Sequence, residues 1–137
     1  MKSKWGDWWE IYVRDKCICV YCGFVGHTLL AWRQFEVDHL IPQSVGGLDV
    51  AENKVLACRH CNKTKSHFDP SDGQVKSPRS VEHKQSLVER AKSYIRDRID
   101  HSYDGSGEEL RDFELMMAEI KQGNFEGYHL RADEGRG

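Results

Sequence analysis

Two neighbouring stretches decide the fold: FEVDHLIPQSVGG at residues 35–47 and AENKVLACRHCNKTK at residues 51–65. The first begins with a β-prone run that stops at Pro42, and residues 54–57 form a second short strand candidate. A Gly-Gly pair lies between them, as suits a long loop. Residues 58–65 look like a short helix. The order predicts a β-hairpin with a long connection, followed directly by a helix.

Four cysteines accompany these stretches as two C-x-x-C pairs, Cys19 with Cys22 and Cys58 with Cys61. Each pair presents two thiolates across one tight turn, and two such turns supply the tetrahedral ligand set of a structural Zn²⁺. Because 35 residues separate the pairs, the hairpin must fold back onto the metal knuckle. We predict a zinc ion that stiffens a small core. The alternative is four unligated buried cysteines.

The fifth cysteine, Cys17, could replace Cys19 through a wider spacing, but the tighter pair is geometrically commoner. We therefore expect Cys17 to be a small core residue. His60 lies inside the second pair and could in principle bind metal. A surface position suits it better.

Composition excludes two classes of protein. The 137 residues have a mean hydropathy of −0.69, and no apolar run approaches the 18 residues of a membrane span. The opening MKSKWGDWWE has no apolar stretch after its lysines, so it does not resemble a secretory signal. Without export, five cysteines indicate reduced thiols or metal ligands rather than disulfides. We expect a cytoplasmic protein.

A third constellation lies on the predicted hairpin and helix. Asp38 and His39 are adjacent near a strand end, where burying a carboxylate beside an imidazole is costly and points to a site. Asn53 follows fourteen residues after His39, and Asn62 nine residues later, next to Cys61. Taken alone, the Asp-His dipeptide is weak evidence, and it gains weight from the two asparagines.

With the two C-x-x-C pairs, this pattern resembles the HNH endonuclease family, the ββα-metal or His-Me finger fold. The form is H-N-N, in which Asn62 stands where other members carry a final histidine. The resemblance covers about residues 17–68. It implies hydrolysis of DNA phosphodiester bonds to 5′-phosphate and 3′-hydroxyl ends with a single catalytic metal ion.

The side-chain chemistry agrees with that implication. His39 supplies an imidazole, the side chain most often used as a general base. Asp38 is the natural hard-oxygen ligand for Mg²⁺ or Mn²⁺, and Asn62 adds a neutral carbonyl oxygen. The resemblance implies that Asn53 hydrogen-bonds across the loop and fixes the active-site strand. The alternative is an ordinary loop asparagine.

Charge is divided unevenly along the chain. Residues 1–100 carry 16 Lys+Arg against 13 Asp+Glu, whereas residues 101–137 carry 4 against 9. No acidic residue occurs from 53 to 68, where we predict a phosphate track. It consists of Lys54, Arg59, Lys63 and Lys65. A solvated basic face is the alternative, and His67 could support either metal or phosphate.

Segments outside the core are predicted to be mostly helical. A leading helix at 1–16 has one aromatic face, and a linker loop at 69–79 precedes a helical extension at 78–123. That aromatic face consists of Trp5, Trp8, Trp9 and Tyr12.

The extension should begin with Ser77 as N-cap and Pro78 as first helical residue. Its last helix should run from a capping box, Ser106 to Glu109, to Gly123, and a flexible tail at 124–137 follows. The first, basic helix could flank DNA or simply cover the core.

We therefore expect an α+β fold, a small zinc-stapled ββα-metal core with flanking helices, and a divalent-metal-dependent DNA endonuclease. The alternative is a zinc-stapled module that binds nucleic acid or a partner without catalysis. A nuclease subunit active only in an assembly, or directed to RNA, is a third possibility. The setting would be a bacterial cell or a phage-infected host, in packaging, restriction, homing or defence. The sequence decides neither cleavage specificity nor oligomeric state.

Overall fold

The computed structural model describes residues 7–100 and 107–123. Trp5, Ser106 and the predicted tail at 124–137 therefore lie outside the described residues. The chain divides into two compact units, residues 1–97 and 98–137, and the division falls inside the predicted extension at 78–123. Across the described ranges, every helix is too short or too polar to cross a membrane.

Five helices and two strands make up the described part of the chain. In chain order they are α1 Asp7–Arg14, α2 Leu29–Trp32, β1 Phe35–His39, β2 Lys54–Cys58, α3 Arg59–Lys65, α4 Val81–Asp100 and α5 Glu108–Gln122, with 3₁₀ turns at Gln43–Val45 and Ala51–Asn53. The mixture of helices with a small two-stranded sheet confirms the predicted α+β class.

The predicted hairpin and helix form the centre of the first unit. β1 and β2 are antiparallel, with Phe35 opposite Cys58 at one end and His39 opposite Lys54 at the other. α3 follows β2 without a loop, because the Cys58 side chain caps it by accepting a hydrogen bond from the Cys61 amide. The core is formed mainly by apolar side chains of the hairpin and its flanks, including Leu40, Ile41, Val55, Leu56 and Ala57.

A tight knuckle precedes the hairpin. The Cys19 amide donates to the Phe24 carbonyl and the Gly23 amide donates back to the Cys19 carbonyl. Gly23 has a φ of 79°, a conformation that glycine adopts without steric cost and most side chains avoid. The Val20 amide donates to the Leu56 carbonyl of β2, which attaches the knuckle to the sheet.

The outer edge of β2 is occupied by other parts of the first unit. The Leu56 amide donates to the Asp15 carboxylate over 2.8 Å, and its carbonyl accepts from the knuckle. The Lys54 carbonyl accepts from Arg14 of α1 and from Lys84 of α4. Two helices and the knuckle therefore meet on one strand edge.

The predicted aromatic face of α1 packs toward α2 and β1. The ring of Tyr12 lies against those of Trp8, Trp32 and Phe35, with centroids 4.7 to 6.4 Å apart. Its hydroxyl donates to the Phe35 carbonyl. These contacts hold α1 beside Phe35, the first residue of β1.

The segment 69–79 has no helix or strand, but it is packed against the core. The Asp69 carboxylate accepts hydrogen bonds from the Ser71 and Gly73 amides, and Val75 is buried. The Lys76 carbonyl accepts from the Leu48 amide. This loop therefore braces the long connection of the hairpin.

The predicted start of α4 is wrong by three residues. α4 begins at Val81 rather than Pro78, because the Ser80 hydroxyl, not that of Ser77, accepts the capping hydrogen bond from the His83 amide. The middle of α4 packs on the core. Its buried side chains are Leu87, Ala91 and Ile95, while Val81 and Ile99 are exposed.

The second unit contains α5. Its N-cap is Gly107, which makes no side-chain cap; the capping box predicted from Ser106 to Glu109 involves a residue outside the described ones. The predicted end is confirmed, since Gly123 adopts the left-handed conformation of a helix C-cap.

Candidate functional site

The four cysteines of the two C-x-x-C pairs come together at one point. One sulfur atom from each of Cys19, Cys22, Cys58 and Cys61 lies within 4.8 Å of every other. The Cys22 and Cys58 sulfurs are 3.8 Å apart, which matches the edge of a tetrahedron with Zn–S bonds of about 2.3 Å. The donor set and its spacing fit a structural zinc ion, as the sequence predicted.

Charge is shared unevenly among these thiols. A hydrogen bond from the Cys61 thiol, helped by backbone donors, lowers the pKa of Cys19 to about 4. Partial burial raises the pKa of Cys22 to about 11. The lowered pKa favours the thiolate form of Cys19, the form that binds a metal ion.

Two further candidate metal ligands, Cys17 and His60, lie outside the cluster of four cysteines. The Cys17 sulfur points toward the Gly26 carbonyl, 3.3 Å away, and it packs beside the core. His60 is exposed. Both positions agree with the expectations from the sequence.

Asp38 is held in a buried setting on β1. Only 7% of the residue is exposed, and its Oδ2 atom accepts a hydrogen bond from the Tyr21 hydroxyl over 2.6 Å. The Lys65 ammonium lies 3.2 Å from the same oxygen. Burial raises the pKa of Asp38, and Lys65 opposes that rise. Within the described residues, Oδ1 accepts no hydrogen bond and remains available as a ligand.

The prediction that Lys65 belongs to the phosphate track is wrong. Its side chain is 0% exposed, and its ammonium contacts Asp38 and the His39 carbonyl. A buried ammonium needs such a partner, because desolvation is costly for an unpaired charge. Lys65 therefore stabilises the ionised Asp38 carboxylate through an ion pair.

Side chains of α3 contact the face of β1 that carries Asp38. Successive strand residues alternate between faces, so Glu36 shares a face with Asp38. The Asn62 Nδ2 atom donates to Glu36 over 2.7 Å, and the Arg59 guanidinium pairs with the same carboxylate at 3.2 Å. Because Nδ2 is committed to Glu36, the Asn62 Oδ1 atom is the end of the amide left to act as an acceptor.

His39, the last residue of β1, faces the opposite side of the strand. Its Nε2 atom is 2.9 Å from Asp49 Oδ1. The Lys54 ammonium lies 2.9 Å from that same oxygen. His39 and Lys54 are cross-strand partners, so Asp49 bridges the two strands at the end of the hairpin that the long connection closes.

Asn53 closes the long connection from inside. It is 0% exposed; its Oδ1 atom accepts from the Ile41 amide, and its Nδ2 atom donates to the Ile41 and Leu48 carbonyls. The backbone carbonyl of Asn53 also accepts from the Leu40 amide. These hydrogen bonds use both polar atoms of the buried side chain to hold the two ends of the long connection together.

A glycine makes that closure possible. A Cβ atom at Gly47 would lie 1.8 Å from the Ile41 carbonyl oxygen, so a larger residue would force the connection apart.

The remaining members of the predicted track differ in their exposure. Lys63 is exposed, and so is the Arg59 side chain, at 63%. Lys54 is mostly covered, with 13% of its side chain exposed. The His67 ring faces the Ser44 hydroxyl at 3.1 Å.

Three residues that the sequence analysis did not single out contact the candidate site. Strand alternation could have indicated Glu36, two residues before Asp38. Tyr21 and Asp49 lie in a turn and a loop, where no periodic pattern announces a contact. Each of the three binds a residue that the sequence did single out: Asn62, Asp38 and His39 respectively.

A comparison with protein families supports this geometry. Residues 19–68 match the model of the HNH endonuclease family, so this part of the chain is an HNH endonuclease domain, as the sequence predicted. No curated protein matches the chain.

Proposed function

We propose that this protein is a divalent-metal-dependent endonuclease that hydrolyses DNA phosphodiester bonds. One observation supports this most directly: α3 packs on the face of β1 that carries Asp38, and His39 ends the same strand. Asp38, a candidate oxygen ligand, and His39, a candidate general base, are thus adjacent residues at the end of the hairpin where the long connection begins. Phosphodiester hydrolysis needs both.

Two oxygens would hold the catalytic Mg²⁺ or Mn²⁺: Oδ1 of Asp38 and Oδ1 of Asn62. Both are hard ligands, and the hydrogen bonds of each residue engage its other polar atom. Two protein ligands suit Mg²⁺, which commonly keeps several waters and contacts substrate phosphate. When bound, the ion would neutralise phosphate oxygens and stabilise the leaving 3′ oxygen.

His39 would act as the general base. Its imidazole accepts a proton from a water molecule, and the resulting hydroxide attacks phosphorus. The bond from phosphorus to the 3′ oxygen breaks, which leaves a 5′-phosphate and a 3′-hydroxyl. Asn53 supports this step by fixing the connection that begins one residue after His39.

DNA would be held by the exposed cations of α3, Lys63 and Arg59. Such contacts give affinity that is largely independent of sequence and falls with salt. Arg59 also pairs with Glu36, so it would connect the bound DNA to the face of β1 that carries Asp38. Lys54 could add a contact only by sharing its ammonium with Asp49.

The compartment would be the cytoplasm of a bacterial cell or a phage-infected host. None of the five cysteines forms a disulfide, and four of them cluster as a candidate zinc site. Reduced thiols of this kind persist in reducing compartments.

The decisive experiment incubates supercoiled plasmid with zinc-loaded protein, with and without Mg²⁺ or Mn²⁺, beside His39→Ala. We expect metal-dependent nicking or linearisation that His39→Ala abolishes. Plasmid binding without cleavage under every metal condition would favour the non-catalytic module. In a parallel incubation with RNA, cleavage of RNA but not of plasmid would change the proposed substrate class and keep the proposed chemistry.

A further inference from the structure

We propose that Asp49 is a positioning residue for the general base: held by Lys54, its carboxylate fixes the His39 ring so that Nδ1 is the nitrogen that takes the proton. This inference deepens the proposed function and rests on it. It names a residue of the long connection that the sequence pattern does not mark.

The contacts define the protonation state of the ring. A carboxylate only accepts hydrogen bonds, so the 2.9 Å contact from His39 Nε2 to Asp49 requires the proton on Nε2. In the neutral ring, Nδ1 is then the unprotonated nitrogen. Without Asp49, the two tautomers would exchange and the ring could turn about its side-chain bonds.

Asp49 is fixed although 64% of its side chain is exposed. Its neighbour Leu48 makes two hydrogen bonds through its backbone. The Leu48 amide donates to the Lys76 carbonyl, and the Leu48 carbonyl accepts from the Asn53 side chain. The Lys54 ammonium adds a second contact to the carboxylate. The position of Asp49 is therefore set by backbone as well as by charge.

Charge supports the same arrangement. The His39 hydrogen bond, followed by that of Lys54, lowers the pKa of Asp49. The carboxylate is thus ionised at neutral pH. The Lys54 carbonyl accepts hydrogen bonds from Arg14 and Lys84. The backbone that carries the Lys54 ammonium is therefore held in place.

The first test measures plasmid cleavage with Asp49→Asn and Asp49→Glu. In Asp49→Asn the amide can donate to Nε2 and favour the wrong tautomer, so kcat should fall by about 10- to 100-fold, with KM changed by about twofold at most. Asp49→Glu keeps the carboxylate and should recover part of kcat. The matched control is Asp72→Asn, which removes the same charge from an exposed loop residue and should keep full kcat.

The second test is independent of cleavage. Nitrogen-15 NMR of the zinc-loaded protein reports which ring nitrogen of His39 carries the proton. We expect protonated Nε2 in the wild type and in Asp72→Asn, and a mixed or reversed state in Asp49→Asn. Zinc content and circular dichroism confirm that each variant is folded.

Several outcomes would overturn the inference. They are a wild-type tautomer in Asp49→Asn, whatever happens to kcat, or an equal loss of kcat in Asp72→Asn. If the wild-type protein cleaves no nucleic acid, the proposed function fails. The NMR comparison then still decides whether Asp49 sets the His39 ring.

Discussion

The Tyr21 hydroxyl donates a 2.6 Å hydrogen bond to Asp38, and Tyr21 lies between the zinc-site residues Cys19 and Cys22. The structural metal knuckle therefore reaches directly into the candidate catalytic site. Tyr21 is buried and its pKa is raised, first by burial and then by Asp38, so the phenol stays a donor. A zinc knuckle with a purely structural role would not require this hydrogen bond.

Removing that hydroxyl should weaken both sites. Tyr21→Phe leaves the buried Asp38 with Lys65 as its remaining partner, so we expect a loss of about 1–3 kcal/mol in the free energy of unfolding and weaker Mg²⁺ binding. Denaturant unfolding and metal titration measure the two effects. Tyr12→Phe is the control, because its hydroxyl donates to a backbone carbonyl instead; it should leave metal binding unchanged. Equal metal affinity in all three proteins would contradict the linkage.

The zinc site should be required for folding. Cys58→Ser or Cys61→Ser removes one of four clustered ligands, so soluble folded protein and bound zinc should both be lost. Cys17→Ser, outside the cluster, should keep both. Elemental analysis and circular dichroism check this. Active, folded protein without zinc would refute the assignment.

Asp38 and His39 should fail in different ways. Asp38→Asn keeps an acceptor for Tyr21 but removes the charged ligand, so divalent-metal affinity should fall. His39→Ala should retain most of that affinity and lose turnover by about 10²- to 10⁴-fold. Isothermal titration with Mn²⁺ and single-turnover cleavage separate the effects. If both variants lost metal affinity equally, the base would be misassigned.

Two lysines of α3, two residues apart, should respond differently to substitution. Lys63→Gln should lower the salt dependence of DNA binding by about one counterion and leave stability unchanged. Lys65→Met should destabilise the fold by about 3–5 kcal/mol, because it leaves Asp38 buried without its cation. Binding isotherms at several salt concentrations and denaturant melts provide the comparison. A change in salt slope for folded Lys65→Met would return Lys65 to the DNA surface.

The sequence predicts what depends on local pattern. Each C-x-x-C turn brings its two cysteines together through local geometry. The strand signal around Asp38 and the helix signal around Asn62 place both residues in one motif, the hairpin followed by a helix. Lys65 was misjudged because a lysine beside other basic residues usually faces solvent, whereas the α3 spacing turns this one onto Asp38. No sequence pattern marks Asp49, because a loop has no period and because its position depends on the hydrogen bonds that its neighbour Leu48 makes with Asn53 and Lys76. The predicted start of α4 is wrong because two nearby serines can each cap a helix, and the Ser80 hydroxyl is the one that accepts from the His83 amide.

The occupied outer edge of β2 also governs how copies of this chain meet. A two-stranded sheet ordinarily offers unpaired peptide groups to another strand, and such edges start aggregation. Here the outward amide of Leu56 is satisfied by Asp15, and the outward carbonyls of Leu56 and Lys54 accept from Val20, Arg14 and Lys84. A second chain would have to displace these donors before it could extend the ladder along β2. The same contacts that stiffen the hairpin thus protect this edge from strand addition between molecules.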